Sequence, residues 1–251
     1  MKIEIFTPGT IFCQGRRENM EDYLFPVQGE ASENDELFIV CDGMGGHAKG
    51  EVASKLACET FAGYLKPHLS EEITERLLSD AFDHVQTTFD QFISGNPESK
   101  GMGTTVVFAI LNSNGVAVLH CGDSRLYHFR KSELIWKTTD HTLVNEWLRQ
   151  GLVTKNEAEH HPKSNVITRA IQGRNVHDVK PDLHFISDLR SDDYLLLCSD
   201  GIYSGVTDDQ LNEILASGEA DEAKLNHIKS LCEGNSRDNY SAYLIKVRDI
   251  F

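Results

Sequence analysis

Apolar residues gather in a few dense runs, and the polar residues between the runs are mostly turn formers. Residues 37–41 are continuously apolar and close on Asp42. Residues 104–111 and 116–121 are nearly as apolar and flank Asn112-Ser-Asn-Gly115, while 194–198 and 240–247 form similar runs nearer the C-terminus. Short runs bounded by turn residues predict interior strands. The Asn-Gly step makes the central pair an antiparallel hairpin, and 126–129 and 134–136 extend it as a meander. Residues 2–6 and 10–14 predict two short strands around the Pro8-Gly9 turn.

Helical spacing follows the first long strand. Val52, Leu56, Thr60, Phe61 and Tyr64 recur at helical intervals until Pro67, which ends the pattern. A second helix is predicted over 71–92, with Ile73, Leu77, Leu78, Ala81, Phe82, Val85, Phe89 and Phe92 on one face and Gly95-Asn96-Pro97 as its stop. Both stripes predict core packing. From Asp140 to about Arg174 the texture changes: a short helix ends near Gly151, Thr154 and Glu157 form a capping box, and His160-His161-Pro162 breaks the next helix. This predicts an inserted flap at about 140–175. Further helices are expected near 207–210 and over 221–233.

Both strands of the central hairpin are apolar on both faces, so both faces need cover. Two packed sheets with helices outside provide it, giving an α+β fold with a four-layer α/β/β/α sandwich. No linker or composition shift divides residues 1–251, so one domain carrying the flap is expected. The chain has 24 basic and 39 acidic residues, a formal charge of −15. That charge disfavours nucleic acid and anionic membranes as partners and suits cation binding. The six cysteines show no C-x-x-C pairing, which fits buried thiols in a reducing compartment. Without a signal-like N-terminus or an apolar run of membrane-spanning length, the expectation is a soluble, cytoplasmic protein.

One pattern carries chemistry. Asp42, Asp123 and Asp200 each follow an apolar strand, and Asp238 stands just before the last one. A single such Asp is commonly a turn or cap residue. Repetition changes that, because carboxylates converging on one rim suit hard divalent cations such as Mg²⁺ or Mn²⁺. Other chemistries lack their residues: there is no G-x-x-x-x-G-K-[ST] loop, no cysteine with an arginine six residues on, and no zinc spacing among the eleven histidines.

Eight motifs in order give the sequence a family likeness: Arg17-x-x-x-Glu21-Asp22, Asp42-Gly-Met-Gly-Gly-His47, Gly101-Met-Gly-Thr-Thr105, Gly122-Asp-Ser-Arg125, Asp140-His141, His161-Pro162 with Asn165-Val-Ile-Thr-Arg169 and Gly173, Ser199-Asp-Gly201, and Asp238-Asn239. On these residues the chain resembles the type-2C, metal-dependent serine/threonine protein phosphatases of the bacterial type. The resemblance implies a two-metal centre at one end of the sandwich, holding Mn²⁺ or Mg²⁺, with a more weakly held third ion. Asp42 would bridge the two metals and Gly43 would add its carbonyl. Asp200 and Asp238 would hold the first metal, Glu21 or Asp22 would serve the second, and Asp123 the third. Arg17 would grip the substrate phosphate with its forked guanidinium.

Hydrolysis of phosphoserine and phosphothreonine would then proceed by direct attack of a water or hydroxide bridging the metals, without a phosphoenzyme. Accelerations of phosphate-monoester hydrolysis reach roughly 10²¹, whereas one general acid or base supplies about 10² to 10⁴, so metals are needed. Met44 stands where some relatives place a general-acid histidine, and Ser241 replaces a usual threonine. His47 and His141 are the remaining candidates for the acid, with helix-start or flap packing as their alternatives. Phosphoproteins made by a serine/threonine kinase are the expected partners, and a monomer the expected state. The competing readings are a catalytically inactive pseudophosphatase acting as a signalling interaction module and a two-metal nuclease. Retention of every metal acid disfavours the first, and the acidic charge the second.

Overall fold

The densest apolar runs become the central strands of two sheets. The computed structural model describes residues 2–45, 49–131, 133–159 and 161–251. In chain order, β1 (Ile3–Ile5), β2 (Gly9–Cys13), β3 (Asp22–Phe25) and β4 (Leu37–Met44) precede two long helices, α1 (Lys49–Leu65) and α2 (Glu75–Gly95). The centre is β5 (Gly103–Thr104), β6 (Val106–Asn112), β7 (Gly115–Cys121), β8 (Arg125–Arg130) and β9 (Glu133–Lys137), followed by α3 (Leu143–Arg149) and α4 (Lys155–Glu159) in the segment predicted as a flap. β10 (Asp182–Ile186), β11 (Tyr194–Cys198), α5 (Asp200–Tyr203), α6 (Asp208–Ala216), α7 (Asp221–Asn235) and β12 (Tyr240–Ile250) come last.

One sheet has the order β1-β12-β11-β8-β9, with β2 also on β12; the other is β10-β7-β6-β4-β3, with β5 on the end of β4. These pairings are antiparallel. Alternation along β4 explains its continuous apolar run. Phe38 and Val40 point between the sheets, where they meet Val107, Val118, Leu195, Leu197, Tyr243 and Ile245. Leu37, Ile39 and Cys41 point outward to Phe61, Phe82 and Phe89 of α1 and α2. Beyond the other sheet, Leu196 and Leu244 pack on Ile202, Leu211, Ile214 and Ile228 of α5, α6 and α7. Each such side chain, fully buried, contributes about 1.5–3 kcal/mol. The result is the four-layer α/β/β/α sandwich.

The structure departs from the sequence pattern in several places. β3 and β10 were not foreseen: β3 is four residues that open on an acid, and β10 mixes exposed and half-buried positions as an edge strand. β1 and β2 both pair with β12, so the Pro8-Gly9 turn interrupts one sheet edge. The predicted stripe of α1 holds in part, with Phe61 buried and Leu56 and Tyr64 packed against the core. Val52 is exposed, and the buried face is made largely of small residues, including Gly50, Ala53, Ser54 and Ala57, which let the helix lie close to the sheet. α2 begins after Thr74, whose hydroxyl accepts the Leu77 N–H at 3.2 Å, four residues later than the pattern predicts. In the flap segment, Thr154 and Glu157 form the predicted capping box. The two legs of that segment are clasped where Leu143 N–H donates to the Val166 carbonyl and Thr168 N–H to the His141 carbonyl.

Candidate metal centre

Strand pairing, rather than proximity in sequence, brings the acids together. Asp22 and Asp42 are directly paired across β3 and β4, so β4 continues past Asp42 to Met44 instead of ending before it. β11 and β12 are neighbours, which sets Asp200, just after β11, near Asp238, just before β12. Gly201 makes that approach possible: a Cβ there would lie 1.9 Å from the Asn239 carbonyl oxygen. Asp123 sits in the turn where the chain crosses from β7 in one sheet to β8 in the other. The Ser199 hydroxyl, from β11's end, donates to Asp22 Oδ2 at 2.8 Å and ties the two sheets at this rim.

The electrostatics follow from burying like charges. Burial raises Asp42 well above the ordinary carboxylate range, and Asp22, Asp200, Asp123 and Asp238 each push further in that direction. Burial, with Asp123 and Asp238 adding repulsion, pushes Asp200 up to about 8. Asp22 and Asp123 are each pushed up to about 6, chiefly by burial. Glu21 is also raised by burial, partly offset by Arg17. Asp123 Oδ1 and Asp200 Oδ1 are buried with no hydrogen-bond partner, an expensive arrangement for carboxylates unless a cation is supplied. An all-oxygen donor set with unpartnered carboxylate oxygens fits divalent metal ions of the Mg²⁺ or Mn²⁺ kind.

Backbone contacts fix the acids. The Asp42 carbonyl accepts from Thr104 Oγ1 and from Thr105 N–H, both at 2.9 Å, and the Asp42 N–H donates to Thr105 Oγ1 at 3.1 Å. Thr105 Oγ1 also meets Ser124 Oγ at 2.6 Å, linking the Asp42 and Asp123 segments. Gly43 N–H donates to the Glu21 carbonyl at 3.0 Å, and a Cβ on Gly43 would lie 2.0 Å from the Gly50 carbonyl oxygen. The close packing there is backbone on backbone.

Arg17 lies at the mouth, its guanidinium donating to Asp238 Oδ2 at 2.5 Å with half of the side chain exposed. Its loop is held by Asn239, which is 3% exposed. Asn239 Nδ2 donates to the carbonyls of Gln14 at 2.7 Å and Asn19 at 3.0 Å, while its Oδ1 accepts the Glu21 N–H at 2.8 Å. Sequence reasoning noted Asn239 only as a motif letter. Its adjacency to Asp238 was the available signal. The Tyr203 hydroxyl donates to Asp123 Oδ2 at 3.2 Å, and Arg125 packs on the Tyr203 ring while making a two-pronged pair with Asp140. None of these supporting roles was foreseen.

The two histidine candidates fare differently. His47 lies outside the described residues. His141 is buried, its Nδ1 accepting the Gly122 N–H at 3.1 Å. Burial, reinforced by His120 and Arg169, lowers its pKa to about 4. Met44 ends β4, half-buried, and offers no proton.

Comparisons with known proteins identify the family and the fold. The family model Protein phosphatase 2C matches residues 13–232. The serine/threonine phosphatase stp of Listeria monocytogenes serotype 4b is 36% identical over 193 residues, 75% of each chain. The crystal structure of the Mycobacterium tuberculosis serine/threonine phosphatase PstP/Ppp superposes with a TM-score of 0.82 at 31% identity, covering 97% of this chain and 99% of that one. The catalytic domain of the serine/threonine protein phosphatase PstP, solved in complex with two manganese ions, gives 0.79 at 30% identity, covering 98% of this chain and 100% of that one. With its carboxylate rim and with most of its length matched, the chain belongs to the protein phosphatase 2C family.

Proposed function

We propose that this protein is a metal-dependent serine/threonine phosphatase that removes phosphate from phosphoserine and phosphothreonine in protein substrates. The observation that carries this is the convergence of Asp22, Asp42, Asp123, Asp200 and Asp238 on one rim, with Asp22 and Asp123 buried, the other three half-buried, and unpartnered carboxylate oxygens on Asp123 and Asp200. Asp42, Asp200 and Asp238 would hold one metal, and the Gly43 carbonyl would be a further ligand of the pair. Asp42 with Glu21 or Asp22 would serve the second, and Asp123 a weaker third. Manganese is the favoured ion, on the strength of the PstP domain solved with two, and magnesium suits the same oxygen donors.

Divalent ions held by these carboxylates would lower the pKa of a coordinated water towards neutrality and neutralise charge on the phosphate. The chain's own residues do the rest. Arg17 supplies two parallel donors for phosphate oxygens at the mouth, and Asn239 keeps its loop in place. Ser199 holds Asp22, and Thr104 and Thr105 hold Asp42, so the acids keep their places without rearrangement. His141, neutral and committed to Gly122, and Met44, which has no acidic proton, do not protonate the leaving group. That role falls to solvent or to a residue outside the described set, His47 included.

All the acids come from one chain, which supports a monomer as the working unit. The substrates are products of serine/threonine kinases. Retention of every metal acid supports activity over a pseudophosphatase role. Phosphate release from a phosphothreonine peptide, measured with Mn²⁺ and again in excess EDTA, tests the proposal. Turnover with Mn²⁺ that disappears on chelation is expected, and activity surviving full chelation would sink the metal mechanism.

A further inference from the structure

His120, His141 and Asp182 meet close behind the Asp123 turn, with one candidate ligand atom from each within 4.8 Å of the others. Two imidazoles and a carboxylate suggest a zinc ion, but the hydrogen bonds decide otherwise. A neutral imidazole carries one proton. With His141 Nδ1 accepting the Gly122 N–H, that proton is on Nε2, which cannot then ligate a metal. Asp182 Oδ2 lies 3.3 Å from this Nε2 and accepts the hydrogen bond of its N–H. Asp182 Oδ1 accepts from Arg169 Nη1 at 2.9 Å, and Arg169 Nη1 also approaches His141 Nε2 at 3.2 Å. The positive charge that the carboxylate needs is therefore already supplied by the protein. His120 lies stacked on His141, centroids 4.6 Å apart, with its Nε2 on the Thr139 carbonyl at 3.0 Å.

We propose that Asp182, His141 and Gly122 form a positioning relay that fixes Asp123 and thereby sets how tightly the centre holds its weakest metal ion. The proposal rests on the reading of Asp123 as a metal ligand. Gly122 is gripped twice by one residue: its N–H donates to His141 Nδ1, and its carbonyl accepts the His141 backbone N–H at 2.9 Å. Gly122 has φ +111°, and a Cβ there would lie 2.6 Å from the Thr105 side chain, so the turn has little room to shift. Thr105 in turn holds Asp42 and Ser124. Asp182 orients the imidazole and makes Nδ1 a better acceptor, as outer partners of site histidines do. Arg169 belongs to the returning leg of the flap segment, where neighbouring Thr168 N–H donates to the His141 carbonyl at 2.8 Å. The relay therefore joins that segment to Asp123.

Calorimetric titration of Mn²⁺ into chelator-stripped protein tests this, with Asp123→Asn, His141→Leu, His141→Asn and Asp182→Ala beside the unmodified chain. Asn places its Oδ1 where Nδ1 stands and can accept the Gly122 N–H; Leu fills the site better but accepts nothing. The relay predicts that Asp123→Asn and His141→Leu weaken the weakest Mn²⁺ site about tenfold or more, the effect typical of outer-partner loss. His141→Asn should stay within about threefold of the parent and Asp182→Ala should fall between. A packing role predicts the reverse order, Leu milder than Asn, and that order overturns the relay. So does an unmoved site in His141→Leu alongside a weakened one in Asp123→Asn. Stoichiometric Zn²⁺ binding that His120→Ala abolishes would make the cluster a metal site instead. An unmoved site in Asp123→Asn removes the ligand reading itself, and the relay with it. If His141→Leu does not fold, Asp182→Ala decides, since unchanged Mn²⁺ affinity there contradicts the relay.

Discussion

Asp200 and Asp238 are the residues on which turnover should depend most sharply. Each presents a carboxylate to the rim through a different strand junction, and an amide of the same shape keeps the packing while removing the charge. Asp200→Asn and Asp238→Asn should each abolish phosphopeptide turnover with far-ultraviolet circular dichroism unchanged, and a near-normal kcat in both would show that the ligand set is wrong. Arg17→Ala removes charge-assisted hydrogen bonds worth about 1.5–3 kcal/mol, so kcat/KM should fall about 10- to 100-fold, and an unchanged value takes Arg17 out of the site. Asp42, Asp123, Asp200 and Asp238 stood out in sequence because each adjoins an apolar strand, a rare place for a charge, whereas Glu21 and Asp22 came only from the motif likeness, since β3 left no apolar run to mark them. Asn239 and Thr105 were not legible as supports, because their partners lie far away in the chain, Asn19 for one and Asp42 for the other. A polar residue's partner is settled only once strands have paired.

At the scale of elements, glycine and cap positions make separable predictions. Gly201→Ala drives a Cβ into the Asn239 carbonyl. Overpacking of this kind costs typically about 1–3 kcal/mol, and here it also pushes Asp200 and Asp238 apart. Thermal unfolding should drop by several degrees, with loss of Mn²⁺-dependent activity. Thr74→Ala removes the cap of α2 far from the rim. It should cost about 1 kcal/mol, or roughly 2–4 °C in a chain of this size, with kcat/KM unchanged. Equal activity losses in the two variants, measured on folded protein, would break this distinction. Strands with both faces buried announced themselves as continuous apolar runs. β3 and β10 did not, since one begins with a site acid and the other lies at a sheet edge. The face of α1 was legible in part: Phe61, Leu56 and Tyr64 do turn to the core, but Gly50, Ala53, Ser54 and Ala57, whose small size lets the helix lie close to the sheet, were passed over in favour of exposed Val52.

For the whole molecule, the rim is a concentration of like charge that opposes folding until cations arrive. The folded-state pKa of Asp200 is about 8, and those of Asp22 and Asp123 about 6, all above the unfolded value of 3.8. Between about pH 4 and 8 the folded chain holds protons that the unfolded chain has released, so stability falls as pH rises. In EDTA the melting temperature should decline from pH 5.5 to pH 8, and saturating Mn²⁺ should flatten that slope by binding the ionised carboxylates. A melting temperature in EDTA that is flat across this range would contradict the charge account. Layer order was legible from which runs were apolar on both faces. The pairing of β1 and β2 with β12 was not, because it joins the two ends of the chain and no local pattern records it.

The proposed activity depends above all on divalent metals being held at this rim. Anomalous scattering at the manganese edge from crystals grown with Mn²⁺ tests it directly. Two strong peaks sharing Asp42 are expected, one also against Asp200 and Asp238 and the other towards Glu21 and Asp22. Crystals with no peak at these carboxylates, or with manganese on other side chains alone, would contradict it.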